Sequence, residues 1–208
     1  MTRIAVFGGS FDPPHVGHKA LVQAALDGLD LDGVWVIPVG KPVHRTLTPR
    51  VSPQQRFLWV QKMFANMPKV HVFDWEVCQE NPTPTIDMMR WVNEQLDSVP
   101  LWLMGMDAWR GLPSWVAYPE HIEWCNVLVL DRQGEALKQH DGWCEVNFDD
   151  DSVLSAGHVA YIHVDLPNVS ATQIRQAILT GQDVSTILDA RIMEEIQTAY
   201  RSCGDIHE

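Results

Sequence analysis

This 208-residue chain has no long apolar run and no closely spaced pair of cysteines. No apolar segment reaches the length of about 18 residues that a membrane-spanning helix needs, and the N-terminus lacks the apolar core of a signal peptide. The four cysteines form no C-x-x-C pair, and no Cys/His spacing matches a zinc site. Reduced thiols are the simpler interpretation. We therefore expect a cytoplasmic protein with neither a membrane anchor nor a protein metal site.

Positive charge is also scarce. The chain has 15 Lys and Arg against 27 Asp and Glu, which gives a net charge of −12. Duplex DNA and anionic membranes repel such a surface, so neither is expected as a partner. A local basic pocket for a small phosphorylated ligand remains compatible with this charge, and so does a homo-oligomer.

Apolar runs and amphipathic segments alternate along the chain, which predicts an α/β fold. Six short runs are typical of parallel strands covered on both faces: Arg3–Gly8, Val34–Val39, Lys69–Trp75, Leu101–Gly105, Asn126–Asp131 and Val159–Val164. Helices are predicted at Val16–Leu26, Pro53–Asn66, Pro84–Leu96, Ala171–Leu179 and Val184–Tyr200, with short pieces across Asp107–His121. This order predicts a Rossmann-like, doubly wound, mainly parallel sheet flanked by helices. We expect one domain over residues 1–208, with its C-terminal helical part, about residues 171–200, packed on it. The polar stretch 131–158 is expected to be an excursion with a minor helix or strand.

Gly, His, Arg and Trp concentrate in loops that follow the predicted strands. Ligands of open α/β sheets bind outside the carboxyl ends of the strands, which is where these loops would meet. They read GGSFDPPHVGH (8–18), GKPVHR (40–45), ENPTPT (80–85), GMDAWRGLPSW (105–115), DR (131–132) and NVSATQIR (168–175). This convergence predicts a ligand site at one edge of the sheet.

The loop after the first strand has the chemistry of an anion site. Gly8 and Gly9 allow a close backbone approach to a ligand. A helix is predicted to begin at about Pro14, which places His15 and His18 three residues apart on one face of its first turns. The N-terminus of that helix favours negative charge, and a bound polyphosphate would raise the pKa of both imidazoles. The loop matches neither the P-loop nor the G-x-G-x-x-G fingerprint.

A second anion site is predicted after the last strand. Ser170 and Gln173 have the spacing of a capping box, which marks the start of a helix. Arg175 lies in the second turn and can reach back towards the helix N-terminus, where Thr172 adds a hydroxyl.

These two motifs together resemble the nucleotidyltransferases that carry H-x-G-H and S-x-T-x-x-R. The stretches PVHR (42–45), PTPTIDMMR (82–90) and MGMDAWRGLPSWVAYPEHI (104–122) make the chain similar to bacterial nicotinate-nucleotide adenylyltransferases. The resemblance implies that ATP and nicotinate mononucleotide, with magnesium, give deamido-NAD and pyrophosphate. It implies direct in-line attack without a covalent intermediate, which suits a reaction catalysed by positioning and charge stabilisation.

The resemblance also implies the roles of individual residues. Catalytic roles fall on His15, His18 and Arg175. ATP and phosphate binding falls on Gly8, Gly9, Ser10, Phe11, His44, Arg45, Gly105, Asp107, Ser170 and Thr172. Nicotinate mononucleotide binding falls on Thr85, Trp115 and Arg132.

Two alternatives stay open. Nicotinamide mononucleotide or another phosphorylated acceptor is the alternative within this enzyme class, and Val116 stands where the family often has an aromatic residue. The alternative from another class is a nucleotide-binding regulator that has lost turnover.

Overall fold

The computed structural model describes residues 2–43, 51–131, 138–147 and 155–202. Within these residues a seven-stranded parallel sheet has the order β3-β2-β1-β4-β5-β7-β6. The strands are β1 Ile4–Gly9, β2 Gly33–Pro38, β3 Val70–Val72, β4 Leu101–Gly105, β5 Asn126–Asp131, β6 Cys144–Glu145 and β7 His158–His163. The helices are α1 Val16–Gly28, α2 Pro53–Phe64, α3 Thr85–Gln95, α4 Met106–Gly111, α5 Ala171–Leu179 and α6 Met193–Ser202. Short 3-10 helices lie at Leu112–Ser114 and Glu120–Glu123.

Helices cover the sheet on both faces because alternate side chains of a strand point to opposite sides. In β1, Ala5 and Phe7 pack into one core, which contains the buried faces of α1, α2, α5 and α6. Val6 between them packs into the other core, together with Met88 of α3 and Trp109 of α4. The prediction of a doubly wound α/β fold is therefore confirmed.

The sheet changes direction at its first strand. β1 lies between β2 and β4, so the chain builds outwards on one side through β2 and β3 and on the other through β4 and β5. A crevice forms outside the carboxyl ends of the strands where the order reverses, and this is where doubly wound sheets bind ligands. Here the crevice lies beyond Gly9 and Gly105.

Two predicted boundaries are wrong. The predicted helix Val184–Tyr200 begins only at Met193. Val184, Leu188 and Ile192 are buried at a spacing of four residues, which imitates a helix face, but the segment before α6 is built of turns. One reason is that the carbonyl of Ile187 accepts a hydrogen bond from the N–H of Val16 instead of one from its own helix.

The strand predicted at Lys69–Trp75 is also shorter, because β3 covers only Val70–Val72 and lies at the edge of the sheet. The polar excursion does contain a minor strand, β6, which extends the opposite edge beside β7. The acidic run 149–151 lies outside the described residues.

Candidate active site

The loop after β1 stacks two histidines at the start of α1. His15 is the N-cap, in an extended conformation, and the helix begins at Val16, where the predicted range Val16–Leu26 begins and two residues after the start predicted at about Pro14. The backbone N–H of His15 donates to Nδ1 of His18 at 3.1 Å. The two rings stack with their centroids 3.7 Å apart. A Cβ on Gly17 would lie 3.0 Å from both the His15 ring and Val169, so this close packing favours glycine.

The hydrogen bond to His18 fixes its tautomer. Because Nδ1 accepts a hydrogen bond from the backbone N–H of His15, the neutral ring carries its own proton on Nε2 and can donate a hydrogen bond from there to a ligand. Burial lowers the pKa of His15 to about 4. Burial, and then the neighbouring His15, lower the pKa of His18 well below its usual range. Both rings are therefore neutral donors near pH 7 before a phosphate arrives.

Phe11 packs against His18 of the stacked histidine pair. It is 1% exposed and has a φ of 45°, a left-handed conformation that is uncommon outside glycine. The ring centroids of Phe11 and His18 are 4.7 Å apart, and Phe7 meets the edge of Phe11 at 5.5 Å. Buried aromatic packing thus offsets the backbone strain at Phe11 and holds His18 in place.

The start of α5 approaches the same loop. Ser170 and Gln173 form the predicted capping box, with Gln173 N–H donating to Ser170 Oγ at 3.3 Å. Arg175 reaches back, as predicted, and its Nη2 donates to Thr172 Oγ1 at 3.0 Å. Its Nη1 donates to the carbonyl of Asp12 at 2.6 Å. A guanidinium, hydroxyls and the N–H groups of a helix start therefore lie beside the loop between β1 and α1. This set of donors is suited to phosphate oxygens.

The carboxyl end of β4 leaves open space for a ligand. Gly105 has a φ of −80°, which any residue adopts, and a Cβ placed on it would meet nothing within 4 Å. Neither the backbone conformation nor the packing requires glycine there, and the predicted role of Gly105 in ATP binding stays a prediction. Asp107 is exposed in the first turn of α4, 4.0 Å from Arg110.

Two of the three predicted acceptor residues, Trp115 and Thr85, lie in the described part of the chain. Trp115 is partly buried and meets the edge of Trp102 of β4, with ring centroids 5.3 Å apart. Thr85 is the first residue of α3, and Met88 in the next turn would lie 3.5 Å from a Cβ on Gly8. His44, Arg45 and Arg132 lie outside the described residues, so their predicted roles stay predictions.

Sequence reasoning missed a buried arginine that holds the loop. Arg56 of α2 is 0% exposed and donates to the carbonyls of Ser10 and Gly40, the latter at 2.9 Å. Gly40 N–H in turn donates to Oε2 of the buried Glu76 at 3.4 Å. The signal for Arg56 was present, because it lies on the apolar face of α2 with Trp59 and Val60. A cation at such a position indicates a buried polar contact.

The described residues contain no group of three or more His, Cys, Asp or Glu side chains that could hold a metal ion. This agrees with the donor character of the site, because imidazole N–H and guanidinium groups bind anions rather than cations. In the same residues no helix is long and apolar enough to cross a membrane.

Comparison with known proteins identifies the class. The family model described as cytidylyltransferase-like matches residues 6–177. This chain belongs to the cytidylyltransferase-like family. Its members are nucleotidyltransferases, so the enzyme class predicted from H-x-G-H and S-x-T-x-x-R is confirmed.

Similar proteins of the cytidylyltransferase-like family share the name of one enzyme group. A protein of Pseudomonas entomophila named "Probable nicotinate-nucleotide adenylyltransferase" is 30% identical over 203 residues, which is 94% of this chain and 92% of the relative. One of Pseudomonas fluorescens with the same name is 31% identical, covering 93% of this chain and 94% of the relative. The predicted resemblance to this enzyme group is confirmed.

A solved structure shares the fold. Nicotinic acid mononucleotide adenylyltransferase of Plasmodium falciparum, in complex with NaAD, superposes with a TM-score of 0.73 at 16% identity. The match covers 94% of this chain and 96% of that one.

Proposed function

We propose that the protein transfers the adenylyl group of ATP to the 5′-phosphate of nicotinate mononucleotide, giving deamido-NAD and pyrophosphate in NAD biosynthesis. The names of the relatives support this reaction. The observation that carries it here is that Arg175 donates to the carbonyl of Asp12, in the loop that leads to the stacked pair His15 and His18 beside the reversal point of the sheet. Two segments more than 150 residues apart in sequence thereby offer donors to one polyphosphate.

The chemistry is a single displacement at the α-phosphorus. An oxygen of the mononucleotide phosphate forms a bond to this phosphorus, and the bond to the bridging oxygen of the β-phosphate breaks, releasing pyrophosphate. Negative charge grows on the α-phosphoryl and bridging oxygens. His18 donates Nε2–H to the α-phosphoryl group, while Arg175, Thr172 and the N-terminus of α5 bind the β- and γ-phosphates. Preorganised donors of this kind stabilise developing charge without reorganising.

Magnesium enters this scheme as part of the substrate. Mg²⁺ prefers oxygen ligands and commonly uses substrate phosphates with few protein groups. The donors at this site are mainly N–H and O–H groups, and the carboxylate of Asp12 already faces Arg175 at 3.7 Å. We therefore place the ion on the phosphate oxygens of ATP, where it neutralises charge as the pyrophosphate leaves.

The acceptor site is proposed at Trp115 and Thr85, with the pyridine ring stacked on the exposed side of Trp115. Val116 beside it is 40% exposed and offers neither an aromatic ring nor a side-chain donor. The three cysteines within the described residues are free, which supports the cytoplasm as the place of the reaction.

The test is product formation with matched acceptors. Purified protein is incubated with ATP, Mg²⁺ and either nicotinate or nicotinamide mononucleotide, and the dinucleotides are separated by chromatography. We expect deamido-NAD to form faster than NAD. Faster formation of NAD would replace the acid by the amide as the acceptor, and absence of both products would contradict the proposed reaction.

A further inference from the structure

A buried tyrosine of the C-terminal helix α6 contacts the loop between β1 and α1, residues 10–15, which we call the phosphate loop. Tyr200 of α6 is 0% exposed, and its hydroxyl donates to Oδ1 of Asp12, 188 residues away in sequence. Burial, and then the hydrogen bond to Asp12, raise the pKa of Tyr200. The phenol therefore keeps its proton near pH 7 and donates it to the hydrogen bond with Asp12.

Asp12 is held between this tyrosine and the arginine of α5. It is 4% exposed. Nη1 of Arg175 lies 2.6 Å from the carbonyl of Asp12 and 3.7 Å from its Oδ2. Tyr200 binds the other carboxylate oxygen. The side chain of Asp12 thus connects the two groups, and a shift of this carboxylate would displace the guanidinium.

The tyrosine itself is fixed by contacts away from the site. Trp59 of α2 donates from Nε1 to Glu195 of α6 at 3.1 Å, and Lys62 pairs with the same carboxylate. The rings of Trp59 and Tyr200 have centroids 6.3 Å apart. These contacts dock α6 on α2, and the tyrosine presents its hydroxyl from that docked position.

We propose that Tyr200 is a positioning residue for the reaction. By holding Asp12, it sets the direction in which Arg175 presents its planar donors to the triphosphate. A guanidinium binds phosphate through two parallel hydrogen bonds, so a small rotation costs both. Misplacement of about 1 Å can reduce rates greatly. This inference rests on the proposed function, since it assumes that Arg175 binds the triphosphate of ATP.

The test is a double-mutant cycle that pairs Tyr200→Phe with Arg175→Ala. Tyr200→Phe keeps the ring and removes the hydroxyl. We expect kcat/KM for ATP to fall about tenfold, as for loss of one hydrogen bond to a charged group. We expect KM for nicotinate mononucleotide to stay within about twofold. In the Arg175→Ala background, Tyr200→Phe should change kcat/KM by less than about twofold, because its effect passes through the arginine.

Glu194→Gln is the matched control. It removes a charge at an exposed position of α6 and leaves in place the contacts of Glu195 that fix Tyr200. We expect its kcat/KM to match that of the parent protein. An equal loss from Tyr200→Phe in both backgrounds, or the same loss from Glu194→Gln, would show a merely structural role and overturn the proposal. So would unchanged activity of Tyr200→Phe.

A second variant and a second measurement keep the question answerable. Asp12→Asn leaves an acceptor for Tyr200 but removes the charge that faces Arg175, so it replaces Tyr200→Phe in the cycle if that variant does not fold. If the parent protein makes no dinucleotide, the proposed function fails. The same cycle is then run on ATP affinity by calorimetry, where non-additive losses support the positioning role and additive losses refute it.

Discussion

At the scale of single residues, the two stacked histidines carry most of the chemical argument. Their rings are 3.7 Å apart and neither is charged in the free protein near pH 7, because burial lowers the pKa of both. Two neutral imidazoles can stack at this distance, whereas two cations would repel each other. A triphosphate supplies the negative charge that makes protonation favourable. The pair is therefore expected to change its charge when ATP binds.

Removal of one imidazole tests the catalytic assignment. His18→Ala should lower kcat by roughly 10²–10³, as for loss of one donor to a transition-state oxyanion. ATP affinity, measured by calorimetry, should fall much less. His71→Ala, at an exposed position on β3, is the control and should keep full activity. Equal losses in kcat and affinity would make His18 a ground-state binding residue instead.

Proton uptake on ATP binding tests the charge change. In the free protein the pKa of His15 is about 4, so the ring is neutral at pH 6. The bound triphosphate should raise this pKa and draw protons from the buffer. Calorimetry in two buffers of different ionisation enthalpy measures the number of protons taken up. His15→Asn should reduce this number, and an identical number in both proteins would refute the expected protonation.

At the scale of elements, helix α2 and the turn around Gly40 hold the phosphate loop in place through hydrogen bonds. Arg56 of α2 binds the carbonyls of Ser10 and Gly40, and Glu76 accepts from Gly40 N–H. A Cβ on Gly40 would fall 2.1 Å from the carbonyl oxygen of Glu76, so the two backbones touch. Burial raises the pKa of Glu76 from 4.5 to about 7, against the opposing effects of Gly40 N–H and Arg56.

This carboxyl should make stability depend on pH. The folded protein binds the proton of Glu76 more tightly than the unfolded chain, so the group's contribution to the free energy of unfolding is highest below pH 4.5 and falls as pH rises towards about 7. The loss is roughly 3 kcal/mol. Urea unfolding of the parent protein and of Glu76→Gln from pH 5 to 8 measures it. The difference between the two proteins should fall with rising pH, and a constant difference would contradict the expectation.

The turn at Gly40 predicts a second result. Gly40→Ala must push the chain away from Glu76, because the added Cβ would overlap a backbone carbonyl. Arg56 would then lose its contact with Gly40, and the shift would reach Ser10. We expect a destabilisation of about 2–4 kcal/mol in urea unfolding, within the range of severe core changes. Gly105→Ala is the matched control for folding, since its Cβ meets open space and should leave stability unchanged. A Gly40→Ala protein as stable as this control would contradict the argument.

At the scale of the whole molecule, the sequence predicted the sheet and the edge at which the site lies. Both follow from local signals, namely apolar runs for the strands and Gly, His, Arg and Trp for the loops that follow them. Contacts between distant segments were not predicted. In the sequence Tyr200 only ends a predicted helix and Arg56 only lies within another, because their partners Asp12 and Ser10 are far away in sequence.

A contact between distant segments also explains why the helix predicted from Val184 begins only at Met193. Buried Val184, Leu188 and Ile192 have a helical spacing, yet Ile187 gives its carbonyl to Val16 of α1. Tertiary hydrogen bonding overrode a local pattern there. The loop between β1 and α1 is also held by distant segments, since Arg56 donates to the carbonyl of Ser10 and Arg175 donates to that of Asp12. Together with the histidines of α1 and the tyrosine of α6, these contacts connect α1, α2, α5 and α6 around one loop, so the proposed phosphate site depends on all four helices.

The measurement that tests the central claim most directly follows the α-phosphorus of ATP. The enzyme is mixed with ATP labelled at this phosphorus, Mg²⁺ and nicotinate mononucleotide, and the reaction is stopped within a single turnover. We predict that the label moves into deamido-NAD, that pyrophosphate is unlabelled, and that denatured protein carries no label when the acceptor is omitted. Label that stays in ATP would contradict adenylyl transfer, and label on the protein would contradict direct displacement.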